Sequence, residues 1–218
     1  MLVLAIDTSS AAVTAAVVEV GDAVRSLAQR VTVDARAHGE RLAPSIAECL
    51  AEAGAKPADL GAIVAGLGPG PFTGLRVGLV TAAAMSDALG IPTYGVCSLD
   101  GIAGAVDETE LLVAGDARRR EVFWARYVDG ARVDGPHVDR PTEVSTVDSV
   151  AMSGAGARLY AGVLGLPLCD VDYPDPAALV RLVADRIRNA AEPEPLTPLY
   201  LRRPDATEPH TPKAVSQP

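Results

Sequence analysis

Lysine and aromatic residues are scarce in this chain of 218 residues. Lysine occurs only at Lys56 and Lys213, and arginine does not make up the difference, so the formal net charge is −9. Because binding to a phosphate backbone depends on Lys and Arg, this balance disfavours a role as the main holder of a nucleic acid. Aromatic residues make up 4% of the chain, so we expect a core built mainly of Ala, Val, Leu and Ile.

Paired cysteines and long hydrophobic runs are also missing. The absence of any Cys-x-x-Cys spacing argues against a zinc site or a disulfide framework and favours reduced thiols in a cytoplasmic protein. The three cysteines are Cys49, Cys97 and Cys169. The first residues, Met1–Ser10, carry no basic segment, and the longest mostly apolar run, Leu75–Met85, is too short to cross a bilayer. We therefore expect no signal peptide and no membrane contact.

The first hundred residues of this 49% hydrophobic chain alternate between strand and helix patterns. Three apolar runs predict an antiparallel meander: Leu2–Asp7, Val13–Val20 and Val24–Val33. Helices and strands then alternate: a helix at Ala35–Ala53, a strand at Ile63–Leu67, a helix at Phe72–Leu89 and a strand at Thr93–Cys97. This order predicts a ribonuclease-H-like lobe at residues 1–98, the building block of the actin-like ATPase fold.

The helix predicted at Phe72–Leu89 has almost no polar face. A helix that is apolar nearly all round is buried on more than one side, and a single small sheet covers only one of them. The second cover is either a partner protein or another part of this chain, and we favour the partner.

The remaining residues predict a second, degenerate α/β lobe at 99–203 and a disordered, proline-rich tail at 204–218. Strands are expected at Leu111–Asp116, Glu121–Val128 and Ala151–Gly154. A short helix is expected near Arg158–Leu164, and a longer one at Ala177–Ala191 with one apolar side, formed by Leu179, Leu182, Val183 and Ile187.

Two segments look like phosphate-binding loops but lack the required residues. The turn Asp7-Thr8-Ser9-Ser10 follows the first strand, where nucleotide-binding proteins of this fold place a metal-binding carboxylate and a phosphate-cradling turn. It contains neither glycine nor lysine. The segment Gly66–Gly70 matches neither a dinucleotide fingerprint nor a P-loop. We therefore interpret Asp7 as a turn-capping residue and expect no cofactor, although the turn leaves room for weak nucleotide binding.

Histidine offers no metal site in the sequence. His38 and Glu40 are two positions apart on a predicted helix and so point to different sides. His137 and His210 are expected in a loop and in the tail, and no His-x-x-x-His pair occurs. We expect no bound metal.

Five segments from the start of the chain to its tail carry the motifs of one pattern: Ala5–Ser9, His38–Pro44, Gly66–Leu79, Asp116–Phe123 and Pro198–Arg202. Together they resemble the TsaB family, subunits of tRNA threonylcarbamoyladenosine biosynthesis. The Gly-Pro-Gly-x-Phe-Thr-Gly-Leu-Arg run in the third segment also occurs in the catalytic paralogues, TsaD, which are longer and carry a His-x-x-x-His metal pair. Gly39 and Pro71 stand where the TsaB pattern has serines.

The resemblance implies a non-catalytic subunit in the threonylcarbamoylation of N6 of adenosine 37, in tRNAs that read codons beginning with A. It further implies binding and activation of a TsaD-like catalytic subunit through the two N-lobe helices, with a P-loop ATPase, TsaE, joining the assembly. We expect indirect contact with tRNA, and a homodimer when the chain is alone. The interface is expected to include His38, Glu40, Arg41, Leu42, Ile46, Leu50, Phe72, Leu75, Arg76 and Leu79.

Two alternatives stay open on the residues. The first is an active enzyme of the same fold, either a kinase or a TsaD-like metalloenzyme, which needs the nucleotide turn or the metal pair that the sequence lacks. The second is a plain RNA-binding module, which the net charge of −9 opposes.

Overall fold

The computed structural model describes residues 1–202. The tail predicted as disordered at 204–218 lies outside the described residues. Two sheets with helices on their faces make up the described part of the chain. None of its helices is long and apolar enough to cross a membrane.

Five strands form the first sheet: β1 Leu2–Asp7, β2 Ala12–Val20, β3 Val24–Val33, β4 Leu60–Gly66 and β5 Thr93–Val96. Their order is β3-β2-β1-β4-β5. The first three strands form an antiparallel meander, while β4 runs parallel to β1 and β5 parallel to β4. Apolar and β-branched residues fill the central strands, as suits a sheet covered on both faces. The predicted ribonuclease-H-like order is confirmed.

Two helices, α1 His38–Glu52 and α2 Phe72–Leu89, cover one face of this sheet. A single-turn 3-10 helix at Pro57–Asp59 precedes β4. Helix α1 begins three residues later than predicted, because Asp34 accepts the N–H of Ala37 at 3.2 Å and closes a turn first. Helix α2 ends as predicted, since Gly90 takes a left-handed φ of 65° after its last residue.

The opposite face of the first sheet is covered by α6, Pro176–Arg188, which the sequence division at residue 98 placed with the second lobe. Asp175 caps the N-terminus of this helix, because its carboxylate accepts the N–H of Ala178 at 2.6 Å. Three of its predicted apolar residues, Leu179, Val183 and Ile187, pack into the core between the helix and the sheet. The prediction for Leu182 is wrong, because it lies one residue off that spacing and is 46% exposed.

The second sheet repeats the first in reduced form. Its strands are β6 Glu110–Asp116, β7 Val122–Val128, β8 Ala131–Asp139 and β9 Ala151–Ser153. The order β8-β7-β6-β9, with β9 parallel to β6, is that of the first sheet without a fifth strand. Three short helices cover its two faces: α3 Ser98–Ala103, α4 Ala155–Leu159 and α5 Ala161–Leu164. The predicted degenerate second lobe is confirmed.

Strand β8 was not predicted. Its sequence is polar and contains a Gly-Pro pair, so it shows no clean alternation of apolar residues. The turn before it carried the missed signal: Asp129 and Gly130 have φ values of 50° and 75°, and Asp-Gly is a preferred two-residue hairpin turn. Helix α3, also not predicted, is only six residues long.

The segment 196–202, here called the C-terminal strap, joins the two lobes. The N–H of Leu199 donates to Leu67 O at 2.8 Å, just after β4. Leu196 packs in the core of the first lobe, while Leu199 and Leu201 pack in that of the second. Arg202 forms an ion pair with Glu121 between β6 and β7. The strap therefore contacts both lobes.

Candidate functional site: a closed phosphate turn and an open helical face

Asp7 lies at the end of β1 and is buried, with 1% of its surface exposed. One carboxylate oxygen accepts the N–H of Ser9 at 2.9 Å and the Ser9 hydroxyl at 2.8 Å, and the other accepts the Ser98 hydroxyl at 2.5 Å. Burial raises the pKa of Asp7, while the bonds from Ser98 and Ser9 act in the opposite direction. Both oxygens thus hold the turn together, which agrees with the interpretation of Asp7 as a capping residue.

Thr8 fastens the same turn to α2. Its hydroxyl accepts the N–H of Gly78 at 2.9 Å and donates to Gly74 O at 2.8 Å. These two backbone groups are the pair that ordinary helical bonding joins directly, so the Thr8 side chain bridges one rung of the helix. His38 adds a second attachment, because its Nε2 donates to Ser10 O at 2.8 Å.

The glycine-rich segment closes the space above this turn. A Cβ on Gly70 would lie 1.9 Å from Ser9 O, and a Cβ on Gly66 would lie 1.8 Å from Asp7 Oδ2. These glycines therefore allow the chain's own backbone to pack where a phosphate loop would need open room. Gly66 and Gly70 therefore serve close packing within this chain.

The cleft that remains between the lobes has a volume of about 200 Å³. Small-molecule sites usually span roughly 300–1,000 Å³. Asp116 and Asp172 line the cleft together with Arg118, so carboxylates accompany its one arginine. The small volume of the cleft and its carboxylates both disfavour the binding of a nucleoside triphosphate.

Residues 1–202 hold no cluster of His, Cys, Asp and Glu side chains that could bind a metal ion. The three cysteines are free. Burial raises the pKa of Cys49 to about 11 and that of Cys97 to about 12. A thiol with so high a pKa is inert at neutral pH, so neither of these is a plausible nucleophile.

Half of the predicted interface residues face the sheet of their own chain. Because apolar residues at three- and four-residue spacing form one stripe of a helix, that stripe covers the sheet and is unavailable to a partner. The residues buried in this core are Leu42, Ile46, Leu50, Leu75 and Leu79. His38 is also buried. The predicted interface residues Leu42, Ile46, Leu75 and Leu79 are therefore core residues in this structure.

Small residues instead form the sides of α1 and α2 that point away from the sheet. We call this the outer face; it comprises Ala43, Ala47 and Ala51 of α1 and Val80, Ala84 and Ala88 of α2, all of them exposed. Four predicted interface residues also lie exposed on these helices: Glu40, Arg41, Phe72 and Arg76. The strap residues Leu196 and Pro198 lie beside Val80, but the outer face stays exposed in the described chain. Helix α2 therefore keeps an apolar side open, as its sequence indicated.

Tyr200 of the strap completes an exposed cluster that the sequence did not reveal. Its ring stacks on Phe72 with 5.2 Å between ring centroids. Arg76 lies 4.0 Å from the Phe72 ring centroid and donates from Nε to the Tyr200 hydroxyl at 3.0 Å. The only hint was the Tyr-Leu-Arg motif itself, because 124 residues separate Tyr200 from Arg76.

Comparison with known proteins identifies the family. The structure of YeaZ from Pseudomonas aeruginosa matches with a TM-score of 0.78 and 25% identity, covering 92% of this chain and 100% of that one. Residues 27–168 match the family model described as TsaD, tRNA N6-adenosine threonylcarbamoyltransferase. The tRNA threonylcarbamoyladenosine biosynthesis protein TsaB of Escherichia coli is 33% identical over 131 residues, 58% of this chain and 55% of that protein. The chain belongs to the TsaB family.

One curated relative is much longer than this chain. An uncharacterized protein of Mycobacterium leprae is 54% identical over 206 residues, which cover 94% of this chain and 56% of that protein. The chain thus spans about half the length of this relative. The actin-like ATPase fold expected for a TsaB chain is the fold observed here, with both lobes represented.

Proposed function

We propose that this TsaB-family chain is a non-catalytic subunit in the threonylcarbamoylation of N6 of adenosine 37 in tRNA, and that it binds and activates a TsaD-type catalytic subunit. The uncovered outer face of α1 and α2 carries this proposal. It is apolar, it lies on the two longest helices of the chain, and contiguous exposed apolar surface of this kind marks protein interaction sites.

The side chains of the outer face suit helix-to-helix packing. Alanine at Ala43, Ala47 and Ala51 allows a second helix to approach closely, since the distance between packed helices depends on the side chains at the contact. A TsaD-type paralogue of the same fold would carry an equivalent helix pair, and the two pairs would then form a four-helix contact. In the absence of that partner, the same face would pair two copies of this chain about a two-fold axis.

The closed turn at Asp7 supports an accessory role over catalysis. Its carboxylate is engaged by Ser9 and Ser98, and the cleft of about 200 Å³ is small for a nucleotide. We therefore propose that the chain needs no cofactor of its own. Apart from the match of residues 27–168 to the TsaD family model, no feature of residues 1–202 favours the alternative of a kinase or a TsaD-like metalloenzyme. Participation of a TsaE-type P-loop ATPase and a cytoplasmic location remain predictions from the sequence.

Co-purification with the catalytic subunit of the same organism tests the outer face. Ala47→Arg places a long charged side chain at its centre and should abolish co-purification while leaving the circular dichroism spectrum unchanged. Leu159→Arg is the matched control, because Leu159 is exposed on α4 in the second lobe and should leave binding intact. Undiminished binding of folded Ala47→Arg protein would place the interface elsewhere.

Nucleotide titration tests the accessory role. The isolated chain should show no micromolar affinity for ATP by calorimetry and no hydrolysis. Micromolar affinity together with turnover that Asp7→Asn removes would show that the turn is catalytic, and the non-catalytic proposal would fail.

A further inference from the structure

A second concave site opens where the first turn of α2, the turn between β6 and β7, and the C-terminal strap meet. Its volume is about 450 Å³, within the range of ligand sites and more than twice that of the cleft at the phosphate turn. We call it the arginine pocket; its lining includes Phe72, Arg118, Arg119, Phe123, Tyr200 and Arg202.

The composition of the arginine pocket departs from that of the chain as a whole. Both phenylalanines of the chain, Phe72 and Phe123, line it. Phe123 is buried, whereas Phe72 and Tyr200 are 49% and 41% exposed. In a chain with 4% aromatic residues and a net charge of −9, three rings and three arginines thus meet in one concavity.

The turn that supplies two of these arginines has a strained backbone. Arg118, Arg119 and Arg120 have φ values of 62°, 55° and 62°, in the left-handed region where glycine is at ease and a long side chain is not. Asp116 holds the turn by accepting the N–H of Arg118 at 2.8 Å, and the N–H of Glu121 donates to Arg118 O at 3.0 Å. Strain of this kind concentrates at functional sites, and here it carries arginine side chains to the pocket.

Carboxylates pair with two of the three arginines. Asp116 lies 3.4 Å from a guanidinium nitrogen of Arg118, and Glu121 forms an ion pair with Arg202. Arg76, which adjoins the rim, bonds to Tyr200 and covers Phe72. The pocket therefore suits a ligand that combines an aromatic ring with a small number of negative charges, not a densely charged polyanion.

A nucleotide within an RNA strand has this chemistry. Its base stacks on aromatic rings, and its single phosphate charge pairs with guanidinium groups. An acidic peptide would use the arginines but not Phe72 and Tyr200, which remain 49% and 41% exposed although their rings stack on each other. We propose that the arginine pocket binds one unpaired nucleotide of the tRNA while the tRNA is held by the catalytic subunit. This inference rests on the proposed function, because it places the tRNA on that partner.

The net charge of −9 is compatible with such a contact. Affinity for a nucleic acid grows with the number of phosphates neutralised, and one pocket neutralises one or two. The lone chain should accordingly show little affinity for tRNA at physiological salt. Within an assembly, where the partner supplies most of the affinity, the pocket would position a single nucleotide.

The test uses the assembly of this chain with the catalytic subunit and measures its affinity for tRNA over a series of salt concentrations. Size-exclusion chromatography first establishes that the assembly forms. Arg118→Gly and Tyr200→Leu should each weaken tRNA binding about tenfold, the scale of one lost stacking or phosphate contact. Arg118→Gly should also lower the slope of log affinity against log salt by about 0.7.

Two matched variants distinguish a direct effect on tRNA binding from an effect on the stability of the fold. Tyr200→Phe keeps the ring and should restore parental affinity, whereas Arg25→Gln removes an exposed arginine on β3, outside the pocket lining, and should change nothing. Arg118→Gly should not lower the melting temperature, because glycine adopts a φ of 62° without strain. Weaker tRNA binding without lost stability is a combination that a purely structural role for Arg118 would not give.

The outcomes that overturn the inference are distinct. Parental tRNA affinity in assembled Arg118→Gly and Tyr200→Leu variants overturns it and leaves the proposed function standing. Loss of assembly in those variants, with the tRNA affinity of the remaining complex unchanged, would assign the pocket to a protein contact instead. Binding of free AMP that responds to the variants while tRNA binding does not would exclude RNA as the source of the nucleotide. Failure of the parent proteins to assemble would overturn the proposed function and this inference with it.

Discussion

Each of the two lobes has an aspartate-capped turn after its first strand, but the two turns differ in their surroundings. In each, an aspartate at the end of the first strand accepts the N–H of the residue two positions on: Asp7 from Ser9 at 2.9 Å, and Asp116 from Arg118 at 2.8 Å. The first turn lies beneath the backbone of Gly70 and is buried. The second turn is exposed and lines the arginine pocket.

This difference extends to the covering helices. The first sheet is enclosed by α1, α2 and α6, of 15, 18 and 13 residues. The second is covered by helices of six, five and four residues, and it lacks a fifth strand. The first lobe thus packs its own backbone over the aspartate turn and offers a long helical face, whereas the second has smaller hydrophobic cores and presents a charged turn.

The largest expected effect compares the cores of the two lobes. Ile46 and Leu164 are both 5% exposed, so Ile46→Arg and Leu164→Arg bury the same charge at equal depth. Ile46→Arg should cost about 4 kcal/mol or more, because α1 is held along its length against the sheet. Leu164→Arg should cost less than half as much, since it ends a four-residue helix from which the side chain can turn to solvent. Chemical denaturation measures both losses, and equal losses would contradict the contrast between the lobes.

A smaller effect distinguishes the two aspartate turns by pH. Burial raises the pKa of Asp7 above its usual value of 3.8, so the folded state binds more protons than the unfolded state. The free energy of unfolding should therefore fall as pH rises from about 4 through the folded-state pKa, by roughly 1.4 kcal/mol for each unit of pKa difference. Asp7→Asn should remove this fall, while Asp116→Asn should leave it in place. Chemical denaturation at a series of pH values between 4 and 7 measures this fall. If Asp7→Asn leaves the pH dependence of the free energy of unfolding unaltered, Asp7 does not cause the fall.

Much of the first lobe could be predicted from the sequence, because its strands are apolar runs and its helices show clear three- and four-residue spacing. The side of each helix that faces the sheet was harder to predict than the helix itself. Leu42, Ile46, Leu75 and Leu79 were predicted at an interface, but an apolar stripe that faces a sheet and one that faces a partner have the same spacing. Only tertiary packing assigns these residues to the core and leaves Ala47 and its neighbours outside.

The second lobe was less predictable for physical reasons of its own. Strand β8 is a polar edge strand, so its alternation is weak, and α3 is too short to show a period. The arginine pocket depends on contacts between residues far apart in sequence, such as Arg76 and Tyr200. The three adjacent arginines were visible in the sequence, but neither their left-handed backbone nor the rings that meet them could be read from it.

The central claim is that the first lobe acts by binding a catalytic partner. Reconstitution of the tRNA modification reaction tests this claim most directly. The catalytic subunit, supplied with threonylcarbamoyl-adenylate and tRNA, should modify adenosine 37 efficiently only when this chain is present. The chain alone should have no activity, Ala47→Arg should fail to stimulate the partner, and Leu159→Arg should stimulate it fully. Full modification without this chain, or equal stimulation by folded Ala47→Arg protein, would contradict the account.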